Sequence, residues 1–329
     1  MTTTNVVVSH RKDADGIGCA AIIRFLTGAK VYLADYADMV EILETVKPVD
    51  ELYVCDLGLN KSTFPGFLAQ LKRLRETGKI HYFDHHPIDP TFMVQLENAK
   101  IDVYHSTVEC ASVLVYKRYE EKLNGSVKMK VVACCGAITD YMDSQPLASK
   151  LISGFDRQFL MYEATVLSFA IATIGRDSKE SNSKLIEVVE KLAAGKFPHE
   201  IENAPVLAEE YADRASSLLE RVAKEGKRMK NFAFMRTKES ATGNVANFLK
   251  GAFDVEVGVA IREEEPGYFE ISLRSTDESK HDLGKIVGKI ATRLNTSGGG
   301  HPNASGARIK DTQLEQFLSM LDSELSSPP

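Results

Sequence analysis

Asn5-Val-Val-Val-Ser-His10-Arg-Lys-Asp13-Ala-Asp15-Gly-Ile-Gly18 decides the reading of this chain. A short β-branched run, Asn5 to Ser9, predicts a buried strand, and the apolar spacing from Gly16 to Thr27 predicts a helix. Between them stand one imidazole and two carboxylates on a turn whose glycines let the backbone pass tightly. Carboxylate oxygen and imidazole nitrogen together suit divalent ions of the Mn²⁺, Fe²⁺ or Zn²⁺ kind, and Asp13 and Asp15 would point different ways from one turn. Taken alone, Asp and Gly before an apolar helix are also ordinary capping chemistry.

The pattern repeats outward. Lys30 to Ala34, Glu51 to Cys55 and Lys79 to Phe83 read as further buried strands, with helix-like segments between them. Such alternation predicts an α/β fold whose parallel sheet carries helices on both faces. Three of the strands end in polar groups: His10 with Asp13 and Asp15, then Asp56, then Asp84-His85-His86. Ligands of open α/β sheets bind at the carboxyl ends of strands, so a site belongs there. Asp56 by itself is more readily a turn residue. Adjacent histidines after an aspartate are an uncommon way to make a turn; one can ligate a metal while the other faces a substrate phosphate. Cys134-Cys-Gly-Ala-Ile-Thr-Asp140-Tyr-Met-Asp143 ends an apolar helix-like run in two acids, either of which could complete the set.

From about 111 to 194 the pattern is mainly helical, and 205–230 reads as one charged amphipathic linker helix. Strands are expected at Asn231 to Thr237, Phe253 to Arg262 and Tyr268 to Ser275, the last two as a hairpin. A helix over Leu283 to Leu294, the loop Ser297-Gly-Gly-Gly-His301-Pro-Asn-Ala-Ser-Gly306, a last strand and a C-terminal helix complete a smaller α/β unit. The expected division is 1–204, a linker over 205–230, and 231–329, with a frayed Ser-Ser-Pro-Pro tail.

Composition narrows the function. The 329 residues are 43% apolar and 26% charged, with a net charge of −6. This suits a soluble globular protein without a membrane span. The balance lacks the basic surplus of a protein gripping long nucleic acid by many phosphates. Five cysteines without a C-x-x-C pair, and no basic-then-apolar leader, fit a reduced, cytoplasmic protein.

These motifs together resemble the DHH phosphoesterase superfamily, named for the triplet at Asp84-His85-His86. His10-x-x-Asp13-x-Asp15, Asp56, Asp84-His85-His86 and Asp140 stand in the family's order. The segment after 231 is similar to its DHHA1 domain through Gly298-Gly299-Gly300-His301 and Ile271-Ser-Leu-Arg274. The resemblance implies two metals, one held by His10, Asp13 and Asp56, the other by Asp15, Asp56, His85 and Asp140. Asp56 would bridge them, and Asp143 stays an alternative to Asp140. It implies that His86 meets the phosphate and that Asp84 orients a histidine, the usual role of a carboxylate behind an imidazole. Carboxylate-rich ligation leans towards Mn²⁺, with Mg²⁺ or Co²⁺ able to substitute. Arg274, Gly298, Gly299, Gly300 and His301 would hold a terminal phosphate.

The DHH-plus-DHHA1 arrangement is similar to nanoRNases, the oligoribonuclease-type enzymes. The expected activity is therefore Mn²⁺-dependent hydrolysis of short oligonucleotides or dinucleotides to 5′-mononucleotides. RecJ-like exonuclease, cyclic-dinucleotide or phosphoadenosine phosphate hydrolase, and a non-catalytic nucleotide sensor are the alternatives. Nothing in the chain calls for a membrane partner, and a homodimer is left open.

Overall fold

Alternate residues of the first strands face opposite ways, and each set is apolar, so both faces of the sheet must be covered. In the computed structural model, which describes residues 4–176, 180–276 and 279–327, that is the arrangement found. The chain divides into two compact units, Met1–Ala212 and Asp213–Pro329.

The first unit opens with β1 (Asn5–His10), α1 (Ala14–Thr27), β2 (Lys30–Ala34), α2 (Met39–Thr45) and β3 (Glu51–Cys55). It continues with α3 (Phe64–Arg75), β4 (Lys79–Asp84), α4 (Pro90–Asn98) and β5 (Asp102–His105). All five strands are parallel, in the order β2-β1-β3-β4-β5. The helical stretch that follows comprises α5 (Ala111–Tyr119), α6 (Val127–Thr139), α7 (Pro146–Ile152), α8 (Arg157–Ile174), α9 (Ser181–Ala193) and α10 (Ala204–Glu225).

Val7, Tyr53, Cys55 and Phe83 pack into one core with α1, α5, α6, α8 and α9. Val6, Val8, Leu52, Val54, Ile80 and Tyr82 enter a second core under α2 and α3. Each fully buried aliphatic side chain contributes about 1.5–3 kcal/mol, so this alternation fixes the register of the strands and the level at which their ends emerge. The strand order reverses direction between β1 and β3. The crevice at their carboxyl ends is the topological switch point where such sheets bind ligands.

The second unit contains β6 (Lys227–Arg228), β7 (Phe232–Thr237), α11 (Thr242–Phe253), β8 (Val257–Glu265), β9 (Tyr268–Ser275), α12 (Leu283–Leu294), β10 (Ser297–Gly300), β11 (Ala304–Lys310) and α13 (Leu314–Ser326). Its mixed six-stranded sheet has the order β10-β11-β9-β8-β7-β6. The fold class is thus the expected one, with local departures. Phe253 ends a helix instead of starting a strand: Asp254 turns left-handed at φ 50°, and β8 begins only at Val257. The charged helix expected over 205–230 stops at Glu225, because Lys227 and Arg228 pair with Phe234 and Ala233. The glycine loop is an edge strand, Ser297–Gly300, paired antiparallel with β11. Of the tail, Pro328 and Pro329 lie outside the described residues. Among the described residues no helix is long and apolar enough to cross a membrane, and all five cysteines are free and buried.

Candidate metal centre

Each acidic group at the switch point is placed by the local structure that carries it. Asp13 caps α1: its Oδ1 accepts from the Gly16 amide at 2.9 Å, which leaves Oδ2 facing His10 Nδ1 at 2.7 Å. Asp15, two residues on in the first turn of α1 and fully buried, accepts from the Ala111 and Ser112 amides at 2.8 and 2.9 Å, closing the N-terminus of α5. That seat exists because α6 carries glycine at 136. A Cβ there would lie 2.3 Å from Ser112 Oγ and 2.6 Å from Asp15 Oδ1.

Asp56 follows β3 directly and adopts φ 56°, a left-handed conformation costing a non-glycine residue about 1–2 kcal/mol. Strain of this kind persists where the surroundings over-determine it, commonly at functional sites. Here it turns the two carboxylate oxygens towards different neighbours. Oδ2 is 3.4 Å from His10 Nδ1, and Oδ1 is 3.2 Å from His85 Nε2. His85 Nε2 is also 3.3 Å from Asp140 Oδ2 and 3.9 Å from Asp15 Oδ2. Three groups result, His10–Asp13–Asp56, Asp15–His85–Asp140 and, joining them through Asp56 and His85, Asp56–His85–His86, each with ligand atoms within 4.8 Å of one another.

The donor set fits divalent cations. Among the described residues neither ring nitrogen of His10 and neither oxygen of Asp56 makes a hydrogen bond of good geometry, although Asp13 Oδ2 stands 2.7 Å from His10 Nδ1. A buried polar group left unsatisfied normally costs about 1–3 kcal/mol. Burial, with the charges of Asp15, Asp13 and Asp56, pushes Asp140 up to about 9. Burial and the charges of Asp13 and Asp15 likewise push Asp56 well above the carboxylate range. Burial pulls His10 down, but Asp13 and Asp56 outweigh it and lift the ring to about 10. Protons therefore occupy positions that cations would take. Asp140 adds to the demand, because it sits at the C-terminal end of α6, where the helix dipole disfavours a negative charge.

Asp84 belongs to none of these groups: its Oδ1 accepts from His86 Nδ1 at 2.9 Å. His86 Nε2 is engaged as well, by the Tyr36 hydroxyl at 3.0 Å. The phosphate contact expected of His86 thus requires exchange with that hydroxyl. Asp143 does not join the clusters; it pairs with Arg157 at 3.0 Å.

Asp35 and Tyr36 escape the sequence reading, which also assigns His105 no role. Asp35, just after β2, lies 3.6 Å from His10 Nε2 and pairs with Lys12. Tyr36 packs its ring 4.8 Å from that of His10. His105, at the end of β5, donates from Nε2 to the His86 carbonyl at 2.7 Å and fixes that turn. Their signal was positional: β2 and β5, like their neighbours, end in polar residues at the sheet's carboxyl edge.

In the second unit, Arg274 sits on β9 opposite Ala304 of β11, and its guanidinium reaches the Leu273 carbonyl and lies against Gly243. Among the described residues it has no carboxylate partner, and burial lowers its pKa. Gly298, Gly299 and Gly300 lie one strand further out, on β10. Gly299 and Gly300 have φ of 149° and 147°, values that exclude a side chain without strain. His301 is exposed and closes a two-residue turn, its amide donating to the Ala304 carbonyl at 2.9 Å.

The family model described as the DHH family N-terminal domain matches residues 4–138, and that of the DHHA1 domain matches residues 231–327. No curated relative matches the sequence. Among solved structures, the chain is similar to a DHH-domain structure described as belonging to a family of ribosomal proteins (TM-score 0.72, 14% identity, 98% of this chain and 87% of that one). It is similar to a pGpG-specific phosphodiesterase, PggH, from Vibrio cholerae (TM-score 0.62, 14% identity, 98% and 99%). RecJ from Thermus thermophilus, in complex with Mn²⁺, matches at TM-score 0.62 and 17% identity over 100% of this chain but only 53% of that one. At these identities the likeness is one of fold.

Proposed function

The chain belongs to the DHH superfamily of phosphoesterases, with a DHHA1 domain following its DHH domain, and from that premise we propose that it hydrolyses short oligonucleotides, dinucleotides foremost, to 5′-mononucleotides in a Mn²⁺-dependent reaction. The observation that carries the reading is the carboxylate of Asp56, one oxygen towards His10 and the other towards His85. It divides the acidic groups into two sets of the composition that two divalent ions require.

His10, Asp13 and Asp56 would hold one ion, and Asp56, Asp15, His85 and Asp140 the other. Bound there, a metal pair supplies Lewis acidity and a lowered pKa for the attacking water. The chain's own residues do the rest. Asp15, pinned by the α5 amides, and Asp56, pinned by its backbone, hold their oxygens without reorganisation. Asp84 orients His86 and favours its protonated form, and that imidazolium donates from Nε2 to the phosphate once the Tyr36 hydroxyl yields its place. Arg274, through its charge, and the β10 glycines, which carry no side chain to block an approach, would take a terminal phosphate.

A short substrate is favoured by the net charge of −6 and by the likeness to the pGpG-specific phosphodiesterase, which is matched along 99% of its length. Two RecJ structures are matched along 53% and 91% of theirs. RecJ structures with Mn²⁺ and with Mg²⁺ also support a divalent requirement.

The test is Mn²⁺-dependent cleavage of a labelled dinucleotide beside a long single strand, each as RNA and as DNA. Fast dinucleotide cleavage with slow attack on the strand is expected. Processive degradation of the long strand would move the activity to a RecJ-like exonuclease. Cleavage of neither would overturn both.

A further inference from the structure

Helix α6 ends on Asp140 in a Schellman turn. The Tyr141 amide donates to the Ile138 carbonyl at 3.3 Å and the Met142 amide to that of Ala137 at 2.8 Å. The turn needs a left-handed residue immediately after the cap, a place usually taken by glycine or asparagine. Here it is Tyr141, at φ 58°. Met142 packs against the core, while Tyr141 is 88% exposed, more than any other large hydrophobic side chain among the described residues. Among those residues its side chain makes no hydrogen bond or ring contact. An aromatic side chain in that conformation, unused by the fold, costs stability and returns none of it through packing.

Its place in the chain gives it a use. Asp140, the preceding residue, contributes to the Asp15–His85–Asp140 cluster, and consecutive Cα atoms are about 3.8 Å apart. A rigid two-hydrogen-bond turn thus presents an aromatic side chain next in sequence to a carboxylate that would hold an ion at the reacting phosphate. We propose that Tyr141 is the stacking platform for the nucleobase next to the scissile phosphate, so that the first unit selects nucleotide esters over simple alkyl phosphodiesters. This rests on the phosphoesterase reading given above. Base stacking on an aromatic residue is tolerant of base identity, so the platform would favour nucleotides as a class and read no sequence.

The probe is 2-aminopurine riboside 5′-monophosphate with Mg²⁺, a product analogue whose fluorescence is quenched by stacking. Wild type and Tyr141→Phe are expected to quench it, and Tyr141→Ala and Tyr141→Gly to lose the quench. KM for the dinucleotide should rise about 5- to 150-fold in the Ala and Gly variants, the equivalent of one lost base stack. An abasic dinucleotide should bind wild type and Tyr141→Ala alike. Tyr141→Gly guards against misfolding: relief of the left-handed strain should raise the melting temperature by about 2–4 °C, so a lost quench in that variant is a lost platform. A quench that persists in Tyr141→Ala, or that wild type never shows, overturns the proposal. Wild type that quenches the probe but leaves the dinucleotide intact would overturn the dinucleotide reading and leave the platform standing.

Discussion

Asp84 Oδ1 lies 2.9 Å from His86 Nδ1, and Asp84 is 1% exposed. A neutral ring held this way carries its proton on Nδ1 and offers Nε2 to the Tyr36 hydroxyl. Burial pulls His86 down, but the bond and charge of Asp84, with Asp56 behind, leave it above its ordinary value. The third letter of the DHH triplet is thereby tied to the first. Asp84→Asn should lower kcat about 10–100-fold, the usual cost of removing a carboxylate behind a functional imidazole, while bound metal stays at wild-type stoichiometry. Metal analysis beside steady-state kinetics checks this. A variant that loses one ion per chain would show Asp84 to be a ligand.

Asp56→Asn tests the bridge. Its carboxylate is buried among Asp13 and Asp15 and is pushed well above the ordinary range. Replacement by a neutral amide should therefore stabilise the metal-free protein, by relieving buried like-charge repulsion. The same change replaces one of the two oxygens that would bridge the ions, so turnover should fall by at least about 10²-fold and metal binding should weaken. Metal-free melting and turnover moving in opposite directions is the expected signature. Wild-type turnover in this variant would sink the bridging assignment.

The raised groups also fix how metal and pH interact. In the metal-free protein Asp140 titrates at about 9 and His10 at about 10, against about 3.9 and 6.5 unfolded. Between each pair of values the folded state binds more protons, so metal-free stability falls as pH rises. The loss runs from about pH 4 to 9 for Asp140 and from about 6.5 to 10 for His10. Metal ligation must displace both protons, so affinity should rise with pH over the same range. Melting curves with chelator and with Mn²⁺ at about pH 6, 7, 8 and 9 should separate increasingly. Curves that stay parallel would mean that neither proton is displaced by the metal.

Legibility in the sequence followed periodicity and position. The parallel sheet was readable because period-two apolar runs recur with helices between, and because buried strands deliver polar residues at one edge. His10, Asp56 and the DHH triplet all announce themselves that way. Asp35 and Tyr36 follow β2 by the same rule but belong to no motif, and their distance from His10 exists only once β2 is paired beside β1. The β5 strand, four residues of which none is fully buried, gives almost no apolar signal; its edge position explains why. In the second unit, Gly-Gly-Gly reads as a loop because glycine has low strand propensity. It forms an edge strand because β11 supplies the partner and the left-handed φ values need no side chain.

Gly136 offers the sharpest test of how the fold builds the site. In an unconstrained helix interior, glycine to alanine stabilises by about 1 kcal/mol. Here the added Cβ would meet Ser112 Oγ at 2.3 Å, Asp15 Oδ1 at 2.6 Å and Asp15 Cα at 3.1 Å. Ser112 can rotate away only by giving up its bond to Asp15, and the Asp15 backbone is held in the first turn of α1. Helix α6 must then move outward, at the roughly 1–3 kcal/mol that overpacking costs, and it carries Asp140 with it. Gly136→Ala should therefore melt below wild type and bind metal more weakly through the Asp15–His85–Asp140 set, with the His10–Asp13 set less affected. Thermal melting with and without Mn²⁺ reads both effects. A variant that melts above wild type and keeps its metal affinity would mean that α6 does not press on Asp15, and that the seat of this carboxylate is set by the α5 amides alone.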